Sequence, residues 1–245
     1  VSATVPSWQL ESWSKLSTDF QERIISDSDF TEVLKAGVTR FTKRVFPKRQ
    51  ALFEKLAKAQ NPDALFLTCA DSRVVPALIT QTDPGQLFVE RNPGNLIPIY
   101  STQSVGVSAS IEYAVAVLKV RHVIICGHTD CGVIKSLLHP EKVAALPAVA
   151  RWMEFGAAAR LKLFEAQKDL PEDQQLPILT ELNVLAQVDN LHTHPSIRQA
   201  LDEDRLEIHA WVYHIHSGEV WAYNQDARRF ERWPAISPSE SFAKD

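Results

Sequence analysis

Ala64-Leu65-Phe66-Leu67, running directly into Thr68-Cys69-Ala70-Asp71-Ser72-Arg73, is the stretch that decides the fold. Apolar residues without polar alternation read as a strand buried on both faces, and the polar cluster behind them as the loop that leaves it. The same composition recurs downstream, where Val123-Ile124-Ile125-Cys126 is followed by Gly127-His128-Thr129-Asp130-Cys131-Gly132. Gln86–Glu90, entered through the turn signal Asp83-Pro84-Gly85, is a further strand. Between and after these runs the apolar period lengthens. Ser101–Leu118, with Val105, Ala109, Tyr113 and Ala116 near one face, reads as a helix, as do the segments from about Pro147 to Lys168 and from Leu176 to Leu191. Glu207–Ile215 is rich in β-branched and aromatic residues, and Gly218 separates it from Val220-Trp221-Ala222-Tyr223, the second arm of a hairpin. Buried strands alternating with helices predict an α/β fold, with a central, mostly parallel sheet of about four parallel strands plus an antiparallel edge strand, flanked by helices.

Upstream of that sheet, residues 1–27 are polar with scattered aromatics (Trp8, Trp13, Phe20) and read as an N-terminal helical arm. From Ser28 apolar residues recur at steps of three or four (Phe30, Val33, Leu34, Val38, Phe41) until Pro47, and Gln50–Gln60 forms a second helix stopped by Asn61-Pro62. The predicted organisation is an arm over 1–27, one α/β domain over 28–233 and a tail over 234–245. With 45% hydrophobic and 23% charged residues in 245, the chain has an ordinary globular balance. Its 26 Lys+Arg against 30 Asp+Glu leave no basic excess for nucleic acid. No apolar run approaches the roughly 18 residues of a membrane span. Three cysteines do not make a disulfide scaffold.

Both polar clusters fall at strand ends, where parallel sheets bind ligands. Cys69, His128 and Cys131 together offer two thiolates and an imidazole, a common zinc set, and the three-residue step from His128 to Cys131 lets one turn aim both at one centre. The residues alone leave a second reading open, buried structural thiols beside a polar histidine. Cys126 closes its strand on the apolar pattern and reads as a core thiol. Asp71 completes a closed tetrahedral site if it binds the metal, and leaves a position for water if it is held away. Arg73, with its rigid guanidinium fork, is the residue able to hold it.

Taken together, Cys69-Ala70-Asp71-Ser72-Arg73 and, about fifty residues on, Gly127-His128-Thr129-Asp130-Cys131-Gly132 resemble the β-class carbonic anhydrases, most closely their plant and cyanobacterial-like branch. Phe88-Val89-Glu90-Arg91-Asn92-Pro93-Gly94-Asn95 and Ser110-Ile111-Glu112-Tyr113-Ala114 extend the likeness, which runs from about residue 28 to residue 224. The resemblance implies Zn2+ held by Cys69, His128 and Cys131, with Asp71 as fourth ligand in a closed form and paired to Arg73 in the active form. It implies a pocket glutamine at Gln60, reaching substrate across a dimer interface, and pocket aromatics at Phe88 and Tyr113. The implied reaction is reversible hydration of carbon dioxide to bicarbonate and a proton, by attack of zinc-bound hydroxide. The implied assembly is a homodimer with interface active sites, able to build tetramers or larger forms. Leu96-Ile97-Pro98-Ile99 and the N-terminal arm are the expected interface pieces. Phe66 and Thr68 replace the tryptophan and glycine of the branch with an inhibitory bicarbonate pocket, so none is expected. The sequence departs from the family at Ala70, usually serine, and at Pro93, which is expected to narrow or stiffen the pocket loop.

Two other readings compete. One keeps the site and changes the electrophile to carbon disulfide or carbonyl sulfide; the other is a non-catalytic, zinc-stabilised interaction module. His192, His194, His209, His214 and His216 are of the type able to carry a proton near neutrality, with His214 and His216 on one strand face. Cytosol, organelle (plastid or mitochondrion) and bacterial microcompartment all suit the chain.

Overall fold

The computed structural model describes residues 28–101, 105–167 and 169–234. The predicted arm and the tail residues 235–245 lie outside them. The chain divides into two compact units, Val1–Ala59 and Gln60–Asp245. In the first, helix α1 (Ser28–Arg40) continues through a π turn (Phe41–Val45) and a 3-10 turn (Phe46–Arg49) into α2 (Gln50–Leu56). The rings of Phe41, Phe46 and Phe53 pack together with centroids 5.2–6.2 Å apart. Phe30, Val33, Leu34 and Val38 recur at helical spacing along α1 and stay exposed.

The second unit is built on a six-stranded sheet of order β2-β1-β3-β4-β5-β6. β1 (Ala64–Cys69), β2 (Leu87–Asn92), β3 (His122–His128) and β4 (Glu207–His214) are parallel, while β5 (Glu219–Asn224) and β6 (Arg229–Trp233) add antiparallel pairings. The sheet thus has one more antiparallel strand than the sequence predicts. β6 reads Arg-Phe-Glu-Arg-Trp and buries only Phe230, so its pattern is too short and too charged to announce a strand. The two central strands carry the apolar runs. β1 is buried along its whole length, and β3 everywhere but His122.

Helices flank the sheet: α3 (Pro76–Thr80), α4 (Val105–Glu112, extended by a π turn over Tyr113–Val117), α5 (Gly132–Leu138), α6 (Pro147–Met153), α7 (Ala157–Gln167), α8 (Glu172–Leu191) and α9 (Pro195–Asp202). The single helix predicted over 147–168 is interrupted by a 3-10 turn at Glu154–Gly156, where Gly156 lies against Leu137, whose Cδ1 would be 2.8 Å from any added Cβ. Leu65, Leu67, Val123 and Ile125 join α4, α8 and α9 in the main core, whereas Phe66, Ile124, Cys126 and Trp211 form a separate cluster with β5. Leu96, Ile97 and Pro98, expected at a subunit interface, are instead buried within this unit; Ile99 alone of the four is exposed. His216 lies in the turn beyond β4 rather than on the strand beside His214, whose ring packs on Trp221. Among the described residues no helix is long and apolar enough to cross a membrane.

Candidate metal centre

Parallel pairing of β1 with β3 sets Thr68 beside Cys126, so both strands end on one edge of the sheet. Cys69 is the last residue of β1 and His128 the last of β3; Cys131 follows at the entry to α5. Cys69, His128 and Cys131 are all buried, and their sulfur and nitrogen donors lie within 4.8 Å of one another. The two sulfurs are 3.9 Å apart, unbonded. Tetrahedral zinc, with Zn–S near 2.3 Å, separates two thiolates by about 3.8 Å.

The third donor is prepared for a metal. His128 Nδ1 lies 2.9 Å from the Thr129 carbonyl, which only accepts, so that nitrogen carries the proton. Nε2 is left with a bare lone pair, fully buried and without a hydrogen-bond partner. An orphaned buried acceptor is costly unless something fills it, and a cation between two thiols does.

Each sulfur is also tuned. Cys69 is pulled well below an ordinary thiol by the Cys131 thiol and by the Gly94 N–H, which donates to its sulfur at 3.3 Å. The same contact and burial push Cys131 up, against a smaller pull from the N–H groups of Ile134 and Val133. Gly94 reaches Cys69 from a 3-10 turn, Pro93–Asn95, in which it adopts φ +80° and presses against Val133. Pro93 occupies the first position of that turn, where a missing N–H costs nothing, and its carbonyl accepts from Trp152 at 2.8 Å. Pro93 thus heads the turn that brings the Gly94 N–H to the sulfur.

Beside the donor triangle stands Asp71. Its Oδ1 accepts from the Arg73 backbone N–H and from Nε, both at 2.9 Å, and its Oδ2 accepts from Nη2 at 2.8 Å. Oδ2 lies 3.8 Å from His128 Nε2. Arg73 holds the Asp71 carboxyl far below the usual carboxylate range, so the group is ionised. Two residues beyond the sequence reading complete this arrangement. Asp130, in the left-handed region at φ +62°, accepts from Arg73 Nη1 at 3.0 Å and is also bound by Lys135. Arg91, from β2, donates to the Cys69 and Asp71 carbonyls at 3.1 and 2.6 Å. Both lie inside the quoted motifs, but only the fold reveals what they hold.

The remaining expected residues stand apart from these contacts. Phe88 and Tyr113 pack on each other with ring centroids 6.0 Å apart. Gln60 is exposed and makes no hydrogen bond among the described residues. Cys126 is buried in the sheet, and Thr68 donates to its carbonyl at 2.8 Å.

A buried two-thiolate, one-imidazole set at the carboxyl edge of a parallel sheet, with a restrained carboxylate beside it, defines a zinc enzyme. Comparison with known proteins carries this further. The family model for carbonic anhydrase matches residues 64–220. A carbonic anhydrase of Pseudomonas aeruginosa is 47% identical over 194 residues, covering 79% of this chain and 88% of the relative. One from the cyanobacterium Synechococcus elongatus is 42% identical, over 75% of this chain and 68% of its own. The solved structure of the β-carbonic anhydrase CcaA superposes with a TM-score of 0.81 at 37% identity, covering 83% of this chain and 92% of that one. The chain belongs to the carbonic anhydrase family, in its β class.

Proposed function

We propose that this enzyme hydrates carbon dioxide reversibly to bicarbonate and a proton, with the Asp71–Arg73 pair as its positioning device and Gln60 of the partner subunit completing each site. Zinc on Cys69, His128 and Cys131 supplies the Lewis acidity that makes water a nucleophile near neutral pH. Carbon dioxide is linear and uncharged, so it needs an apolar pocket rather than a counter-charge. Phe88 and Tyr113 supply apolar surface of that kind.

Asp71 has a narrower task. Arg73 occupies both lone pairs used on Oδ1 and one on Oδ2, which leaves Oδ2 able to accept one more hydrogen bond. That bond comes from the attacking water, and it turns the oxygen lone pair toward carbon. Arg73 also keeps Asp71 from becoming a fourth ligand; with Asp130 as its second anchor, it is fixed to both loops at once. As charge develops on the substrate oxygens, the side-chain amide of Gln60 donates to one of them.

The dimer is supported by two apolar surfaces. α4 buries Val107, Ile111 and Ala114 inward yet leaves Val105, Ala109 and Tyr113 outward, so it is apolar on both sides. The stripe on α1 is likewise uncovered. Faces of this kind mark association surfaces.

The observation that carries the mechanism is the three-point grip of Arg73 on Asp71 beside the bare Nε2 of His128. Asp71→Asn and Arg73→Ala are expected to retain one zinc per chain and lose about 100-fold or more in hydration rate. Stopped-flow rates measured alongside zinc content decide it; near-normal rates in both variants reject the positioning role.

A further inference from the structure

We propose that the chain carries a second metal site, formed by His122, Glu207 and His209 at the opposite end of the sheet, which takes a divalent transition metal. It is independent of the catalytic reading above. Among the described residues, two groups bring three metal-ligating donor atoms to one point: the Cys69–His128–Cys131 centre and this one. His122 opens β3 and Glu207 opens β4, and the two are partners in the parallel register. His209, two residues along β4, projects from the same face as Glu207.

The donor atoms form a compact triangle. His122 Nδ1 and His209 Nε2 are 3.2 Å apart, and Glu207 Oε2 is 3.5 Å from the first and 3.7 Å from the second. Nitrogen and oxygen ligands about 2.0–2.2 Å from a tetrahedral ion are separated by about 3.3–3.6 Å. The three distances bracket that range, so shifts of a few tenths of an ångström place all three donors on one ion. Two ring nitrogens at 3.2 Å must share a proton or a cation, and the carboxylate turned toward them supplies negative charge for a divalent ion. Burial and the neighbouring His122 lower the affinity of His209 for a proton, against a smaller opposite pull from Glu207.

The contrast with His139, which meets two carboxylates, is informative. Glu141 approaches Nδ1 of His139 and Glu172 approaches Nε2, at opposite sides of the ring, so those groups share no common point. At the His122 site both rings are about one-third exposed and line a cavity of about 560 Å³ with Glu231, Trp211 and Trp233. Water has access to the remaining coordination positions. Two imidazoles and a carboxylate suit Zn2+, Ni2+ or Cu2+ rather than Mg2+ or Ca2+. An ion here would clasp the first residues of β3 and β4, about 20 Å along the strand from His128.

The test uses tag-free, zinc-loaded enzyme, dialysed until one zinc per chain remains, and then equilibrium dialysis against Ni2+ with elemental analysis. The wild type is expected to take up one further ion per chain. His122→Gln and His209→Gln are each expected to lose that equivalent while keeping the first zinc and full hydration activity. Glu207→Gln is expected to weaken uptake about tenfold or more, and His139→Gln to leave it unchanged. Retained activity shows that each variant is folded. Wild-type uptake no greater than that of the His122→Gln, His209→Gln double variant overturns the site, as does uptake that follows His139 instead.

Discussion

Cys126 shows how one side chain acquires a property from its position. It sits between two metal-binding loops and carries the right atom, yet its thiol is fully buried in the sheet, and burial pushes it up from 9.0 to about 12. A neutral native thiol sets the sign of a pH effect. Above pH 9 the unfolded chain sheds this proton while the native protein keeps it, so stability falls across pH 9–12 with a slope approaching about 1.4 kcal/mol per pH unit. Cys126→Ala is expected to remove that slope while costing some packing energy at every pH. Urea unfolding of both proteins at pH 8, 9.5 and 10.5 checks it, since all other titrations are shared; a constant difference between them would contradict the burial account. Asp71 illustrates the opposite case, a half-shielded carboxyl kept ionised because a guanidinium grips both oxygens.

At the scale of elements, the donors are placed by the approach of strand to helix. Gly127 lies between Cys126 and His128 on β3, and a Cβ there would stand 2.6 Å from Val184 Cγ2 on α8. The absence of a side chain lets α8 settle onto the strand, and α8 in turn supports the Gly94 turn through Asn183, which donates to the Gly94 carbonyl at 3.2 Å. Gly127→Ala is therefore expected to destabilise the protein by about 1–3 kcal/mol, as overpacking does. Val184→Ala should restore part of the loss, so a double-mutant cycle by thermal or urea unfolding will show favourable coupling. Purely additive costs would mean that the strand and helix are not in tight contact. None of this was legible beforehand. The apolar pattern announces both elements, whereas the distance between them depends on which side chains meet.

For the whole molecule the question is where each active site is closed. If Gln60 acts across the interface, a chain carrying Gln60→Ala and one carrying Asp71→Asn, each inactive alone, will regain activity when mixed and reassembled. Random pairing of two-fold dimers returns about a quarter of wild-type activity. No recovery would place Gln60 within its own subunit. A second expectation concerns the surface itself: Val105→Asp should yield monomers by light scattering, with zinc retained and hydration lost. An undiminished dimer would mean that the outer face of α4 is not the contact.

The same division of labour runs through all three scales. Sequence alone determined the parallel α/β architecture, because strands buried on both faces leave an unbroken apolar record in Ala64–Leu67 and Val123–Cys126. It also determined the donor chemistry, because a thiolate or an imidazole is a property of residue type. The tertiary structure alone decided what those groups do. Strand register sets Asp130 beside Arg73 and His122 beside His209 across 57 and 87 residues of chain, and register is set by side chains meeting far apart in sequence, which no local pattern records.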